Sequence, residues 1–396
     1  MRFLGPLIRR IAIATVFAAK IVTANSWPET TTNQAVSPDQ LDHAIASAAD
    51  YLDRACSPDG MFVYRVDAVS GQKSSSYNIV RHGGAMYALG MLNDWRADPL
   101  AARTLGHAAQ FLQSHYIGPG ARSDQLAVWN RPLPNTTKAE LGATALGVVG
   151  LVAASRVQPG SVPRDELEQL GAFLLFLERE DGSFVDRYDR KTGPDVHWQS
   201  LYYPGEAALA LISLHEFDHS RKWLIAADKA LSYLAQSRAG SRAVPPDHWA
   251  LIATAKLLPY CEQEGCGKSR DILVRHAVQV CKELLSEQEI DPDDPEIDGA
   301  FDEDGGTAPT ATCIEGLLAA LEFLPSGYDE LRNQIRAASG RGVAFLLGAQ
   351  IKSGAYDGGL PRDHASGTPE TIPIRIDYVQ HALCAWIRYR KMLKHQ

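Results

Sequence analysis

The chain has 396 residues and carries 39 lysines and arginines against 47 aspartates and glutamates, which gives a formal net charge of −8 at pH 7. This acidic balance argues against general nucleic-acid binding, because a protein that binds nucleic acid through its phosphates needs a basic surface. The length exceeds that of an average domain, although closed arrays of helices hold such a length as one unit.

The first residues have the pattern of a secretory signal peptide. A basic start precedes an apolar run at 11–19 and small residues at 22–24, so we predict a signal peptide over residues 1–24 that is cleaved after Ala24. An uncleaved anchor is the alternative, although the run is too short to span a bilayer. We therefore expect a periplasmic or secreted protein with no stable membrane insertion after cleavage.

Cleavage removes four cations and no acid, which moves the net charge to −12. The following residues, 25–38, are rich in Thr, Pro and Asn and are predicted to form a flexible linker. Six cysteines remain, and an even number in an exported protein suggests disulfides. Cys261 and Cys266 lie in one short turn and are the predicted pair, whereas the other four are expected to be small buried apolar side chains.

Two sets of segments with helical periodicity alternate along the chain. The first set is amphipathic with charged faces and covers residues 39–56, 99–115, 164–178, 219–237, 269–285 and 328–348. The second set is more apolar, is rich in Gly and Ala, and covers residues 77–92, 138–154, 204–217, 247–260, 312–324 and 375–393. A helix that is apolar nearly all round must be buried. Six exposed helices alternating with six buried ones predict an all-α fold, an (α/α)6 toroid of outer and inner helix pairs, over residues 39–396.

A loop signature of Gly followed by an aromatic residue recurs four times between an outer helix and the next inner helix. It reads Asp59-Gly60-Met61-Phe62, Asp181-Gly182-Ser183-Phe184, Asp298-Gly299-Ala300-Phe301 and Ser353-Gly354-Ala355-Tyr356. Gly permits the sharp turn, and the aromatic side chain is expected to fill the space between neighbouring pairs. A motif repeated at a regular place in a helix pair is typical of a repeat array.

In this signature the chain resembles the prenyltransferase and squalene-cyclase type of toroid, whose repeats carry a similar Asp-Gly-aromatic loop before an inner helix. The resemblance covers almost the whole mature chain at the level of repeat design. It implies the toroid fold and no single activity, because the same toroid carries glycoside hydrolases, polysaccharide lyases, epimerases and binding domains.

Every connection from an outer helix leads into the N-terminus of an inner helix, so the six inner N-termini are expected to meet at one mouth. Polar and aromatic residues concentrate at these N-termini: Asn78, Arg81, His82, Lys138, Glu140, Tyr202, Tyr203, Glu206, Asp247, His248, Trp249, Thr312, Cys313, Glu315, Arg375, Asp377, Tyr378, Gln380 and His381. Polar groups on otherwise buried helices need partners or a wet cavity. The pattern therefore predicts a polar pocket at the mouth.

Several of these residues also have a purely structural interpretation. Glu140 and Glu315 each stand three residues after a threonine, which matches the capping box. Asp247 follows two prolines and is predicted to be an N-cap. His82 and His381 lie one turn into buried helices, where a hydrogen-bonded core histidine is the alternative to a site residue.

The mixture at the mouth suits an acidic oligosaccharide or polysaccharide. Arginine is rarely buried without an anion, and helix N-termini attract anions. The predicted substrate-binding residues are Asn78, Arg81, Lys138, Tyr202, Tyr203, His248, Trp249, Arg375 and Tyr378. The predicted catalytic residues are Glu206 and His82, with Asp377 and Glu140 as further candidates. Hydrolysis would use two of the carboxylates, Asp247 included; in lyase or epimerase chemistry His82 or a tyrosine would remove a proton from the sugar.

Two rival hypotheses remain open from the sequence. No cofactor is favoured, but Cys313, His381, His248 and Asp247 could form a zinc site, since these are suitable zinc ligands. Alternatively, the toroid could bind a glycan or peptide without catalysis. The number of acids and bases predicted at one mouth favours an enzyme, a glycan hydrolase or lyase above all.

Overall fold

The computed structural model describes residues 36–264, 269–364 and 370–394. The predicted signal peptide and nearly all of the predicted linker lie outside these ranges. Cys266 also lies outside them, so its pairing with Cys261 stays a prediction. Of the other four cysteines, Cys281, Cys313 and Cys384 are buried free thiols, as predicted, whereas Cys56 is only half-buried.

Twelve α-helices lie in the described residues, close to the predicted positions. The outer helices are α1 Pro38–Ala55, α3 Pro99–His115, α5 Arg164–Leu177, α7 Arg221–Ser237, α9 Arg270–Ser286 and α11 Asp329–Ala349. The inner helices are α2 Ile79–Trp95, α4 Leu141–Val157, α6 Tyr203–Asp218, α8 His248–Glu264, α10 Thr307–Leu321 and α12 Ile376–Lys394. The predicted number and order of helices are confirmed, although α1 begins at the last residue of the predicted linker.

The inner helices form a closed ring. Each packs against the next along the chain, and α12 packs against α2 to close the circle. The outer helix α1 packs against the inner helix α12, so the first and last helices of the described chain contact each other across the two layers. The (α/α)6 toroid predicted from the sequence is therefore confirmed.

The burial of each helix follows from its sequence pattern. Nearly every residue of α4 is buried, which matches its lack of an exposed polar face. The outer helix α1 instead buries one stripe, which includes Leu41, Ile45 and Leu52, and begins with a capping box at Ser37. Among the described helices, none combines the length and the apolar character needed to cross a membrane.

In the described part of the chain, seven short strands lie in the connections from outer to inner helices. They are β1 Arg65–Asp67, β2 Ile117–Pro119, β3 Leu126–Val128, β4 Lys138–Glu140, β5 Arg187–Asp189, β6 Gly193–Pro194 and β7 Pro373–Arg375. β1 pairs with β7 in antiparallel fashion, with Arg65 opposite Arg375, and so joins the first helix pair to the last. The predicted helix start at 138 is wrong, because residues 138–140 pair with β5 and α4 begins only at Leu141.

The glycines of the loop signature contact the outer helix of the following pair. Gly60, Gly182 and Gly299 all have φ of +90°. A Cβ at Gly60 would lie 2.0 Å from the carbonyl oxygen of His107 on α3, and the other two face outer-helix carbonyls at 2.5 and 2.7 Å. Neighbouring pairs can therefore approach closely only because these positions lack a side chain.

The fourth loop has a register different from the predicted one. In the first loop the residue after the glycine, Met61, accepts a hydrogen bond from the backbone of Ser57. In the fourth loop the equivalent acceptor is Gly359, which accepts from the backbone of Ile351. Gly358 rather than Gly354 faces the next outer helix, since a Cβ added to Gly358 would lie 1.9 Å from the carbonyl oxygen of Ser47 on α1. The buried position of the aromatic residue is then taken by Leu360. The predicted signature at 353–356 is corrected to residues 357–360.

The contact at Gly60 predicts a stability difference between two glycines of similar backbone conformation. Gly160 has φ of +85° and nothing within 4 Å of its Cβ position, so Gly160→Ala should cost about 1 kcal/mol from the left-handed backbone alone. Gly60→Ala should cost about 1–3 kcal/mol more, because the methyl group displaces α3. Urea denaturation of both variants measures the difference, and equal losses would contradict the assigned contact.

Candidate functional site

A cavity of about 460 Å³ opens at the N-terminal ends of the inner helices. It is lined by residues of α2, α8, α10 and α12, by Tyr202 before α6, and by loop residues around 301–306 and 362–363. We call it the mouth cavity. None of the described residues of α4 lines it, so the cavity lies towards α8, α10 and α12.

Two arginines at the wall of the mouth cavity share one buried carboxylate. Arg375 Nε lies 2.9 Å from Asp377 Oδ1, and Arg81 Nε lies 3.4 Å from Asp377 Oδ2. The Asp377 side chain is 1% exposed, whereas the side chains of Arg81 and Arg375 are 33% and 29% exposed, respectively. The Arg375 guanidinium also lies 4.4 Å from the centre of the Tyr378 ring. Asp377 therefore fixes the positions of both guanidinium groups at the cavity wall.

His248 lines the mouth cavity without a polar partner. It is 2% exposed, and within the described part of the chain neither of its ring nitrogens has a hydrogen-bond partner. Its ring contacts those of Tyr202 and Trp249, with centroids 5.1 and 5.0 Å away. Burial, His381 and Arg81 all lower the pKa of His248, so the imidazole is neutral. Unpaired buried polar groups are costly, and such a group at a cavity wall is suited to bind a ligand.

His381 stands beside His248 and is held by a carboxylate. Its Nδ1 lies 2.6 Å from Glu315 Oε1, and its Nε2 lies 3.1 Å from the amide nitrogen of Gln380. With the Glu315 oxygen as acceptor, Nδ1 carries the proton, and the lone pair of Nε2 accepts from the Gln380 amide. The ring centroids of His248 and His381 are 5.7 Å apart. The two imidazoles can therefore contact the same bound molecule.

Glu206 is buried beside the cavity. It is 2% exposed, its Oε2 has no hydrogen-bond partner among the described residues, and Gly142 leaves the space that this oxygen occupies. Burial raises the pKa of Glu206 to about 8, against the opposing effect of Arg81. The side chain is therefore a neutral acid near pH 7, although it is not part of the cavity lining.

Two residues predicted for the site have structural roles instead. His82 is fully buried, with Nδ1 bonded to the Tyr77 hydroxyl at 2.8 Å and Nε2 bonded to the Ala108 carbonyl at 2.9 Å. It is the hydrogen-bonded core histidine of the alternative interpretation, and the predicted catalytic role is corrected. Asn78 caps α2, because its side-chain oxygen accepts from the backbone of Val80 and Arg81.

The predicted residues around α4 form a separate cluster. Glu140 accepts from the Tyr203 hydroxyl at 2.7 Å and from Arg187 at 3.2 Å, and makes no capping bond. Lys138 is exposed on β4. None of Lys138, Glu140 and Tyr203 lines the mouth cavity. The capping-box interpretation of Glu140 and Glu315 is wrong, since Glu315 lies in the third turn of α10.

Three of the four predicted zinc ligands, Cys313, His248 and His381, line the mouth cavity, whereas Asp247 does not. Asp247 caps α8 through the backbone of Ala250, as predicted, and its other oxygen binds Arg238 at 2.9 Å. His381 is bonded to Glu315, and burial raises the pKa of the Cys313 thiol. Within the described ranges, no group of three or more His, Cys, Asp or Glu side chains has an arrangement suited to a metal ion.

Part of the cavity lining comes from residues that the sequence does not single out. Arg362 and Asp363 come from the loop before β7, and Asp302 and Asp304 come from the loop before α10. Asp302 and Asp304 lie in a polar stretch whose pattern is typical of a solvated loop. Nothing in a single sequence distinguishes them from the other acids of that loop. Glu315 is recognised only once α10 is known to begin at Thr307, which moves it to the interior of the helix.

Several solved structures share this fold. A cellobiose 2-epimerase from Bacillus thermoamylovorans matches with a TM-score of 0.67 at 12% identity, over 89% of this chain and 99% of that one. An alpha-mannanase from Bacteroides thetaiotaomicron matches with a TM-score of 0.59 at 11% identity, over 90% and 97% of the two chains. An unsaturated glucuronyl hydrolase specific for heparin matches with a TM-score of 0.59 at 12% identity, over 90% and 99%. Identities this low establish the shared toroid fold alone.

No family model matches the sequence, and no curated protein matches it either. The fold is thus established by the structure and by its structural neighbours, whereas the chemistry must be argued from the residues of the mouth.

The raised pKa of Glu206 predicts a pH-dependent stability. A carboxyl with a higher pKa in the folded chain stabilises the fold below its unfolded pKa, and that contribution is lost as the pH rises through the folded value. Between pH 4.5 and about 8 the wild type should therefore lose stability relative to Glu206→Gln, by up to ~1.4 kcal/mol per pH unit.

Urea denaturation of the wild type and of Glu206→Gln from pH 5 to 9 measures this difference. Glu168→Gln, at an exposed position on α5, serves as the control for removing one negative charge. A constant difference between Glu206→Gln and the wild type across this range would contradict a buried neutral acid.

Proposed function

We propose that this protein is a carbohydrate-active enzyme that binds a sugar in the mouth cavity and transfers a proton at a sugar carbon. The observation that carries the proposal is the pair of buried imidazoles, His248 and His381, at the cavity wall. The neighbours of similar fold have names that describe sugar epimerisation and glycan hydrolysis, which supports a glycan ligand.

The two histidines are suited to act as acid and base. The Nε2 lone pair of His381 accepts from the Gln380 amide and can take up a proton when a ligand replaces that contact. The Glu315 carboxylate at Nδ1 then stabilises the imidazolium. His248 is neutral and has both nitrogens available for a ligand. One imidazole can remove a proton from carbon while the other donates to, or accepts from, a neighbouring hydroxyl. This arrangement favours epimerase or isomerase chemistry.

The surrounding residues supply the binding surface. Trp249 and Tyr202 give flat apolar faces on which a sugar ring can stack. Arg81 and Arg375 are fixed by Asp377 and present their remaining N–H donors to hydroxyl or carboxylate oxygens. Fixed donors lose little conformational entropy when a ligand binds.

Hydrolysis by the predicted carboxylates has less support. A glycosidase needs two carboxyl groups on either side of the scissile bond. Asp377 is held by two arginines, Asp247 binds Arg238, and Glu140 and Glu206 are not part of the cavity lining. None of the four predicted carboxylates therefore stands free at the wall.

The charge of the cavity favours a neutral sugar over the acidic glycan expected from the sequence. Three arginines line the cavity, and five acids line it with them: Glu287, Asp302, Asp304, Asp363 and Asp377. Extra negative charge on a ligand is repelled by such a wall.

We also propose, from residues 1–24 alone, that the protein is exported to the periplasm or secreted.

Solvent deuterium incorporation tests the proton transfer directly. The purified protein is incubated in D₂O with cellobiose, mannobiose and uronate-containing oligosaccharides, and carbon-bound deuterium is measured by NMR. Epimerase or isomerase chemistry places deuterium on carbon, whereas hydrolysis cleaves the oligosaccharide without doing so. A lyase instead forms an unsaturated product that absorbs ultraviolet light. Cleavage without exchange would replace the proposal with a hydrolase.

The variants His248→Asn and His381→Asn should each lower the exchange rate by at least about a hundredfold, the usual contribution of a general acid or base. The matched control is His43→Asn, because His43 is exposed on the first outer helix, α1. This variant should retain the wild-type rate. Full activity in both cavity variants would refute the assignment.

Arg81→Ala tests the binding surface independently of catalysis. Because the Arg81 side chain is one-third exposed and Asp377 keeps its contact with Arg375, the melting temperature should change by only a few degrees. The sugar that exchanges deuterium in the experiment above serves as the ligand. Its dissociation constant, measured by calorimetry, should rise about tenfold. A collapsed fold would assign Arg81 to structure.

A further inference from the structure

The C-terminal halves of the inner helices enclose a second cavity at the other end of the ring. This basal cavity has a volume of about 230 Å³ and is lined by residues of α2, α4, α6, α8 and α12, and by Glu322, the C-cap of α10. A water molecule needs only about 10–15 Å³ of such volume. The space is therefore large enough for a small organic molecule, and the proposed sugar chemistry uses none of its residues.

The wall of the basal cavity changes from apolar to charged towards the helix ends. Val149 and Leu209 lie on its apolar part. Four cations line its charged part against two carboxylates, Asp94 and Glu322. Helix C-termini carry partial negative charge, which accounts for cations at this end.

Two of the four cations are already neutralised. Arg156 Nη2 lies 2.6 Å from Glu216 Oε2, and Arg156 Nη1 lies 3.4 Å from Asp94. Lys256 Nζ lies 2.8 Å from the same Glu216 oxygen. Arg156 and Lys256 thus belong to one ion-pair network and offer little charge to a ligand.

Arg388 and Lys391 retain excess positive charge. Arg388 Nη1 lies 2.7 Å from Glu322, but that glutamate side chain is 57% exposed and the arginine only 13%. Within the described residues, the buried Arg388 Nε has no hydrogen-bond partner, and no carboxylate lies within 4 Å of Lys391 Nζ. Partial burial and the charge of Arg388 lower the pKa of Lys391. An anion between the two would use the free donor and relieve their repulsion.

The same pair also faces the outside of the molecule. A groove of about 490 Å³ shares Glu322, Arg388 and Lys391 with the basal cavity and adds Arg332 and Arg336 of α11. A single carboxylate therefore lies among four cations in this groove, in a chain whose net charge is −8. The groove gives an anion an electrostatically favourable route to Arg388 and Lys391.

We propose that Arg388 and Lys391 bind a small organic anion, whose carboxylate or phosphate group lies between the two cations and whose body enters the basal cavity. Carboxylate and phosphate both match a guanidinium beside an ammonium. The apolar wall at Val149 and Leu209 then contacts the carbon atoms of the ligand.

Calorimetric titration of the full chain at constant ionic strength tests the site. The probes are inorganic phosphate, propionate and glycerol 3-phosphate. Lys391→Gln should weaken binding at least about tenfold, because it removes one charge-assisted contact. Glu322→Gln should strengthen binding, since it removes the competing carboxylate. Lys282→Gln, at an exposed position on α9, is the matched control and should bind like the wild type.

The probes and one further variant separate the parts of the proposal. Ala255→Leu fills the basal cavity and should abolish binding of propionate and glycerol 3-phosphate while inorganic phosphate still binds. If this variant binds the organic probes as well as it binds phosphate, the body of the ligand does not enter the cavity. Preference for propionate or for glycerol 3-phosphate identifies the anionic group. No heat with any probe, or an unchanged affinity in Lys391→Gln, would overturn the site. Loss of binding in Arg375→Gln, at the mouth, would assign the anion to the other cavity.

Discussion

The contact between neighbouring inner helices is the constraint on which the rest of the structure depends. Each inner helix packs against the next, and α12 must meet α2 for the ring to close. Close packing requires positions without side chains, such as Gly83 of α2 against Leu146 of α4 and Gly205 of α6 against Ala250 of α8, where a Cβ would lie 2.9 and 2.7 Å from the neighbouring backbone. Once the ring is closed, the connections from outer to inner helices all lie on one side, so the inner N-termini lie at that side whatever their individual sequences are.

Closure also imposes a cost on polar groups at that side. Buried polar side chains need partners, and most of them find one: Asp377 meets two arginines, and Glu315 meets His381. His248 and Glu206 Oε2 are left without a partner among the described residues. A fold that leaves such groups unpaired gives up stability there, and a bound ligand that pairs with them recovers part of it.

The two ends of the ring differ because the inner helices are parallel to one another. Their N-terminal ends carry partial positive charge and their C-terminal ends partial negative charge. Acids are therefore tolerated at the mouth, where five line the cavity, and cations at the base, where four do. The mouth holds more acids than cations beside its two imidazoles, whereas the base retains positive charge at Arg388 and Lys391. One architecture thus presents two chemically distinct cavities.

The sequence by itself determined the twelve helices, their alternation and the side of the ring on which the inner N-termini lie, because apolar periodicity reports burial directly. Only the tertiary structure decided which polar residues meet. His82 and His381 have similar sequence contexts, yet His82 bonds the outer-layer carbonyl of Ala108 and His381 faces the cavity beside Glu315. The fourth loop uses Gly358 rather than Gly354 because contact with α1 sets its register. The helical pattern is local, whereas His82 and Ala108 lie 26 residues apart along the chain and Glu315 and His381 lie 66 residues apart. Periodicity carries no information over such separations.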